Sequence, residues 1–310
     1  MIIRDVMPAF ELHQPTELRD AFPLLDRFGK DGWKMAGGHD SLSWFKERTK
    51  RPKAVIDISG IAELKGIRET PEGVEIGALT TLTEIERNSI IKSKYRLLAD
   101  AAAKVASPQI RNVGTLGGNA SQDARCLYYR YGLPCYRAGG NACYADTPEG
   151  VNREHALFET DRCVAVSPSD TAPALVALDA KFVIRSSKGE RVIGPEEFFI
   201  GPATDITRMT SIRPEEILVA IRIPSTYANA HFYFEKVADR NAWDFPLVNV
   251  AAAIIVKNGV IDNCRIACAG VSCVPRRLTA VEQIVKGKNM GDDIAKLAGQ
   301  SSTRGAKPLN

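Results

Sequence analysis

Residues 123–163 carry four of the chain's seven cysteines and show little periodicity of either the helical or the strand kind. An aperiodic stretch of about 40 residues is uncommon inside a compact domain, where connections usually run about 4–6 residues; such stretches are usually kept for function. The core of the stretch reads RCLYYRYGLPCYRAGGNACYADTPEG from residue 125, with Cys126, Cys135 and Cys143 inside it and Cys163 beyond it. Eight, seven and nineteen residues separate the four thiols. Any fold of this chain has to accommodate this insert beside whatever regular layers the rest of the sequence forms.

An odd number of cysteines fits a disulfide framework poorly. The first residues, MIIRDVMPAFELHQP, place acids and a proline where an export signal needs an apolar core. The expectation is therefore a cytoplasmic chain with reduced thiols, exported only alongside a signal-bearing partner, and a metal or redox role gains weight. Zinc sites normally bring ligands in pairs two to four residues apart, closer than these spacings. A [4Fe–4S] cluster needs four converging thiolates, and turns at Pro134 and Gly139-Gly140 suit a loop that wraps one. Buried cysteines and a zinc site remain alternatives. Cys264, Cys268 and Cys273 lie in the strand-like VIDNCRIACAGVSC and read as ordinary core residues.

Composition excludes several classes. The hydrophobic fraction of 45% and charged fraction of 25% are those of a globular protein. Net charge is +4 with the signs interspersed, and no basic tract argues for nucleic acid. No apolar run approaches the ~20 residues of a membrane span.

Elsewhere the pattern alternates. A helix is expected over residues 15–29 despite Pro23, then a strand at GWKM, helical character after GGHD, and a strand at KAVIDIS. GVEIGALTTLTEIERN reads as strand, turn and helix with a threonine N-cap, and KYRLLADAAAKVAS as a helix that stops before Pro108. Strand–helix alternation marks layered packing. Beyond the insert come helix, strand, turn and strand over SDTAPALVALDAKFVIRSSKGERVI, then a strand at ILVAIRIP. From about residue 230 the pattern changes to a three-stranded antiparallel sheet backed by helices, with KNG as a hairpin turn. The expected class is α+β, with residues 1–228 as a two-part domain that carries the insert and 229–310 as a small C-terminal domain.

Two glycine loops have phosphate-binding character: Gly37-Gly38-His39-Asp40-Ser41, and Gly114-Thr115-Leu116-Gly117-Gly118-Asn119. Backbone N–H groups can turn toward an anion where no Cβ intervenes. Neither loop fits the dinucleotide fingerprint or the P-loop. Each alone is more often just a tight turn.

Taken together, KMAGGHDSL, IGALTTLTEI, ASPQIRNVGTLGGNAS and PSDTAPALVALDA resemble, in order and phrasing, the FAD-binding medium subunits of the molybdenum hydroxylases, the xanthine dehydrogenase and aldehyde oxidoreductase group. The C-terminal part resembles that of carbon monoxide dehydrogenase flavoproteins. The resemblance implies that Ala36, Gly37, Gly38, His39, Asp40 and Ser41, with Gly114, Thr115, Gly117, Gly118 and Asn119, hold the FAD pyrophosphate. It implies that Thr80 and Thr81 lie near the flavin, that Asp170 accepts from the adenosine ribose, and that Asp244 and Phe245 neighbour the isoalloxazine. Asp244 and Phe245 are equally readable as a loop acid and a core aromatic, and Lys236 and Arg240 as surface charges. His39 stands where relatives often carry threonine.

The insert resembles loops found in a subset of that family, including the β-subunit of 4-hydroxybenzoyl-CoA reductase and some bacterial aldehyde oxidoreductases. The resemblance implies that Cys126, Cys135, Cys143 and Cys163 ligate a [4Fe–4S] cluster, with His155 as a rival to Cys163 for the fourth position. It implies an electron-transfer subunit that works with a molybdopterin-binding large subunit and a [2Fe–2S] small subunit, and exchanges electrons with an external carrier such as ferredoxin. A hydroxylase or dehydrogenase is favoured over a reductase with inward electron flow. A stand-alone flavoenzyme and a zinc-stabilised scaffold without flavin are the readings from other classes.

Overall fold

Three sheets and the helices between them account for nearly all the regular structure in the computed structural model, which describes residues 6–309. The reading of an absent export signal falls partly on the first five residues, outside that range. The first sheet is parallel, in the order β1-β3-β2, from Glu11–His13 (β1), Gly32–Met35 (β2) and Ala54–Asp57 (β3). Its centre is the apolar AVID run, buried at Ala54, Val55 and Ile56 as a central parallel strand requires. Helix α1 (Leu18–Phe28) covers this sheet with Leu18, Ala21 and Leu25. Pro23 interrupts α1 only on its exposed side. Helix α2 (His39–Lys46) follows β2 through the first glycine pair.

The second sheet is antiparallel and five-stranded. Its members are Ile67–Thr70 (β4), Gly73–Gly77 (β5), Lys181–Ser186 (β6), Gly189–Ile193 (β7) and Ile217–Pro224 (β8), in the order β4-β5-β8-β6-β7. Between β5 and β6 the chain forms helices α3 (Leu82–Arg87), α4 (Ser89–Lys94), α5 (Arg96–Ala103), α6 (Pro108–Arg111) and α7 (Leu116–Ala120). The cysteine segment and the helix Thr171–Ala177 come next.

The third sheet holds His231–Val237 (β9), Val248–Lys257 (β10), Val260–Ala269 (β11) and Arg276–Arg277 (β12), in the antiparallel order β12-β11-β10-β9. The expected three strands are β9–β11; the two-residue β12 adds a fourth, too short to leave a periodic signal. The hairpin turn is at Asn258-Gly259, both with positive φ (52° and 79°), as a tight two-residue turn demands. Ala251, Ala253 and Ala267 face the alanine-rich helix Thr171–Ala177, and small side chains on both sides permit close approach. Cys264 and Cys268 face the other way, into a cluster with Leu278, Val281 and Val285, consistent with the core role read for them.

Candidate functional site

The first glycine loop packs directly on the second. A Cβ on Gly37 would overlap the Val113 carbonyl oxygen, so only glycine permits this approach. Gly38 has φ +81° and opens α2 without a side-chain cap. The first-turn N–H groups of α2 have no acceptor inside the helix and carry its positive dipole end. The Ser41 hydroxyl accepts from Trp33 Nε1 at 2.8 Å, which ties the helix start to β2.

The second loop is fixed from beneath. Leu82 N donates to Gly114 O and Leu116 N to Thr80 O, each at 2.9 Å. Gly117 N donates to Ala78 O at 2.9 Å, and a Cβ on Gly117 would stand 2.8 Å from the Ala78 side chain. The Thr115 hydroxyl accepts from Gly118 N. Asn119 Oδ1 accepts from Ser169 Oγ at 2.7 Å and Thr171 Oγ1 at 2.6 Å, which locks the start of Thr171–Ala177, and Asp170 with it, onto the loop.

These elements enclose a cleft of about 510 Å³. Its walls include Ala36, Gly37, Gly38, His39, Asp40, Ser41, Gly114, Thr115, Gly118, Asn119, Asp170, Asp244 and Phe245, brought together from four separate stretches of sequence. Thr80, Thr81 and Gly117 do not line it. Thr80 is buried, and its hydroxyl bonds the backbone of Gly66. Thr81 caps α3 in a reciprocal box with Glu84. Their hydroxyls are engaged elsewhere, and it is their backbone that pairs with the second loop.

A second lobe of about 570 Å³ meets the first along Trp33, Lys34, Ala36, Thr115 and Gly118. Gly117 lies here, with apolar walls at Ile58, Leu79, Met209 and Ile217 and basic side chains at Lys30, Lys50, Arg51, Arg208 and Arg213. Lys34 Nζ donates to the carbonyls of Arg213, Pro214 and Glu216 and so holds one wall. Burial pulls its ammonium down to about 8, against the opposing pull of Glu216. Sequence reasoning missed this lobe because its residues come from short unrelated segments that share no motif.

Asp170 lies at the base of the first lobe. Lys236 Nζ is 2.7 Å from its Oδ2, and Asn249 Nδ2 donates to Oδ1 at 3.1 Å, so both oxygens expected to serve a ribose already have protein donors. Burial pushes the carboxyl up to about 6, against the pull of Lys236. Lys236 also donates to the carbonyls of Asp244 and Lys104. It is therefore a buried anchor of the cleft, and Arg240 is the exposed one of the pair. Trp243 N donates to Ala106 O at 2.8 Å and seats the 243–245 loop over the cleft.

The cysteine segment adjoins this wall. Arg125 pairs with Asp40 at 2.8 Å, and its guanidinium lies 4.3 Å from the Phe245 ring centre. Asp123 pairs with the buried Arg137 and, at 2.8 Å, with Lys50. Arg153 forms two hydrogen bonds to Asp239. Regular structure in the segment is limited to the turns Leu127–Arg130 and Tyr136–Ala138 and a Cys135–Ala142 bridge. Side-chain anchors therefore replace a ladder, which is why its sequence lacks a period.

Cys126, Cys135, Cys143 and Cys163 all line one small cavity of about 20 Å³. That is room for roughly one water. No group of three or more His, Cys, Asp or Glu side chains among the described residues is arranged to hold a metal ion. The thiols of a four-iron cluster each bind a different iron and stand farther apart than ligands of a single ion. Burial pushes Cys126 up to about 11 and raises Cys163 too, so both are neutral thiols until something displaces their protons. No helix among the described residues is long and apolar enough to cross a membrane.

Residues 8–226 match the FAD binding domain in molybdopterin dehydrogenase, and residues 233–310 match the CO dehydrogenase flavoprotein C-terminal domain. The carbon monoxide dehydrogenase medium chain of Hydrogenophaga pseudoflava is 29% identical over 268 residues, 86% of this chain and 76% of that one. The FAD-binding subunit of an aldehyde oxidoreductase from Escherichia coli is 34% identical over 252 residues, 80% of this chain and 77% of that one. A solved structure of carbon monoxide dehydrogenase from Hydrogenophaga pseudoflava aligns with a TM-score of 0.76 at 28% identity, covering 98% of this chain and 90% of that one. Family match, fold and cleft agree: the chain belongs to the FAD-binding medium subunits of the molybdenum hydroxylase and carbon monoxide dehydrogenase family.

Proposed function

We propose that this chain is an electron-transfer subunit of a multisubunit molybdenum enzyme, with FAD in the two-lobed cleft and a [4Fe–4S] cluster in the cysteine loop. The observation that carries the reading is Arg125. It pairs with Asp40 in the cleft wall, lies against Phe245, and immediately precedes Cys126. The four-thiol cavity and the cleft therefore share a boundary.

The cleft suits FAD by its own chemistry. An uncapped helix start and a glycine approach too close for any Cβ make an anion cradle for a pyrophosphate at the junction of the lobes. Ala36 to Ser41, with Gly114, Thr115, Gly117, Gly118 and Asn119, would hold it. Asp170, Asp244 and Phe245 would border the part of the cofactor in the first lobe. Thr80 and Thr81 would act only through their backbone, which pairs with the second loop. When bound, FAD takes electrons singly or in pairs and joins one-electron centres to two-electron chemistry. Cys126, Cys135, Cys143 and Cys163 would ligate the cluster, whose chemistry is one-electron transfer; the cavity holds about one water as it stands, so the thiols would move apart to admit the cluster.

The division of labour in this reading places the FAD-binding unit in residues 1–228 and the C-terminal unit in 229–310. A molybdopterin-binding large subunit and a [2Fe–2S] small subunit would complete the enzyme, with an external carrier such as ferredoxin reached through the cysteine loop. Relatives are named for carbon monoxide, caffeine, nicotinate and xanthine, so the substrate does not follow from this type of chain.

The test is a visible spectrum of the anaerobically purified protein with iron, sulfide and zinc assays on the same sample. Flavin with about four iron and four sulfide per chain supports the full reading. Flavin without iron removes the cluster and leaves the flavoprotein. Zinc without flavin overturns both.

A further inference from the structure

His155 stands beside the cysteine cavity without being part of its wall. All four cysteines line that cavity and His155 does not. Its Nε2 is 3.2 Å from Cys126 Sγ, and the residue is 5% exposed. The main chain beneath it is fixed: His155 N donates to Asn152 O at 3.0 Å, and Ala156 N donates to Val164 O at 2.9 Å, next to Cys163. Its Nδ1 is buried with no hydrogen-bond partner.

From this we infer that His155 donates its Nε2–H to the Cys126 sulfur and is a positioning residue for the cluster rather than one of its ligands. The inference rests on the cluster reading given above. The tautomer follows from which orphan costs less. A proton on Nδ1 would leave a buried N–H donor unpaired, whereas a proton on Nε2 satisfies the donor with sulfur and leaves only an acceptor lone pair unfilled. An N–H donor on this sulfur suits a thiolate that carries negative charge. Hydrogen bonds to a ligating sulfur draw charge from the cluster and stabilise its more negative, reduced state, which raises the reduction potential.

The experiment is a potential titration of the anaerobically purified full-length chain, followed by electron paramagnetic resonance. His155→Leu is expected to keep four irons and to shift the potential to a more negative value. His155→Gln retains an N–H donor and should recover part of the shift. Full iron with an unchanged potential in His155→Leu overturns the inference. So does a three-iron cluster in that variant, because it would make His155 a ligand. Should His155→Leu fail to fold, pulsed resonance on unmodified protein labelled with nitrogen-15 histidine decides. A weak nitrogen coupling is expected; a strong coupling from a directly bound ring, or none, overturns the inference. Absence of iron and sulfide from the unmodified protein removes the cluster reading itself, whereas iron present with no effect of His155 removes only this inference.

Discussion

Lys236 Nζ lies 2.7 Å from Asp170 Oδ2, with both side chains almost wholly buried, and the pair joins strand β9 of the third sheet to the residue that opens the helix Thr171–Ala177. The cleft base is thus a charge pair made by two distant parts of the chain.

Burial raises the Asp170 carboxyl from 3.8 to about 6 in the fold, even with Lys236 opposing. Between these values the folded state holds a proton that the unfolded state has lost. Stability therefore falls as pH rises from about 4 to about 6, by at most about 3 kcal/mol from this group. Urea unfolding across that range should show a steeper decline for the unmodified chain than for Asp170→Asn. Equal slopes would mean Asp170 keeps an ordinary acidity.

Gly37→Ala places a methyl against the Val113 carbonyl and forces the two glycine loops apart. A misfit of this kind costs about 1–3 kcal/mol, which, spent on the cradle, weakens flavin binding about 5- to 160-fold. A fluorescence titration of the apoprotein with FAD measures it. Unchanged affinity would separate this approach from cofactor binding.

Thr81→Ala removes the capping box of α3 and should cost about 1 kcal/mol of stability. Flavin affinity should be unchanged, since the hydroxyl does not face the cleft. A large loss of flavin with little loss of stability would restore Thr81 to direct contact.

Serine replacement of Cys126, Cys135, Cys143 or Cys163 should lower the iron content of the purified chain, and replacement of Cys264, Cys268 or Cys273 should not. Cys273 is the sharpest control because it shares a buried cluster with Cys163. Iron lost only in Cys273→Ser and not in Cys163→Ser would exchange their roles.

Much of the fold was readable because its periodicities are local. Strand β3, the threonine N-cap of α3 and the Asn258-Gly259 hairpin each announce themselves within a few residues. Both glycine loops were readable because close backbone approach admits only glycine. Lys236 was ambiguous for the opposite reason: a lysine in an alternating strand looks solvated, and only tertiary packing brings Asp170 to it. The second lobe and the displacement of Thr80 from the cleft wall were hidden likewise, because no local pattern encodes which hydroxyl a neighbouring backbone will claim.

The cleft is closed by residues that a ribosome reaches last. The helix start and both glycine loops emerge early, but Lys236, the 243–245 loop and Asn249 come from the final quarter of the chain. Domains generally fold in order of synthesis. A nascent chain halted before residue 236 would present the anion cradle without the base or cover of its first lobe. Flavin loading thus waits on residues 236–249, and a truncation that spares both glycine loops but ends before residue 236 is expected to bind flavin weakly.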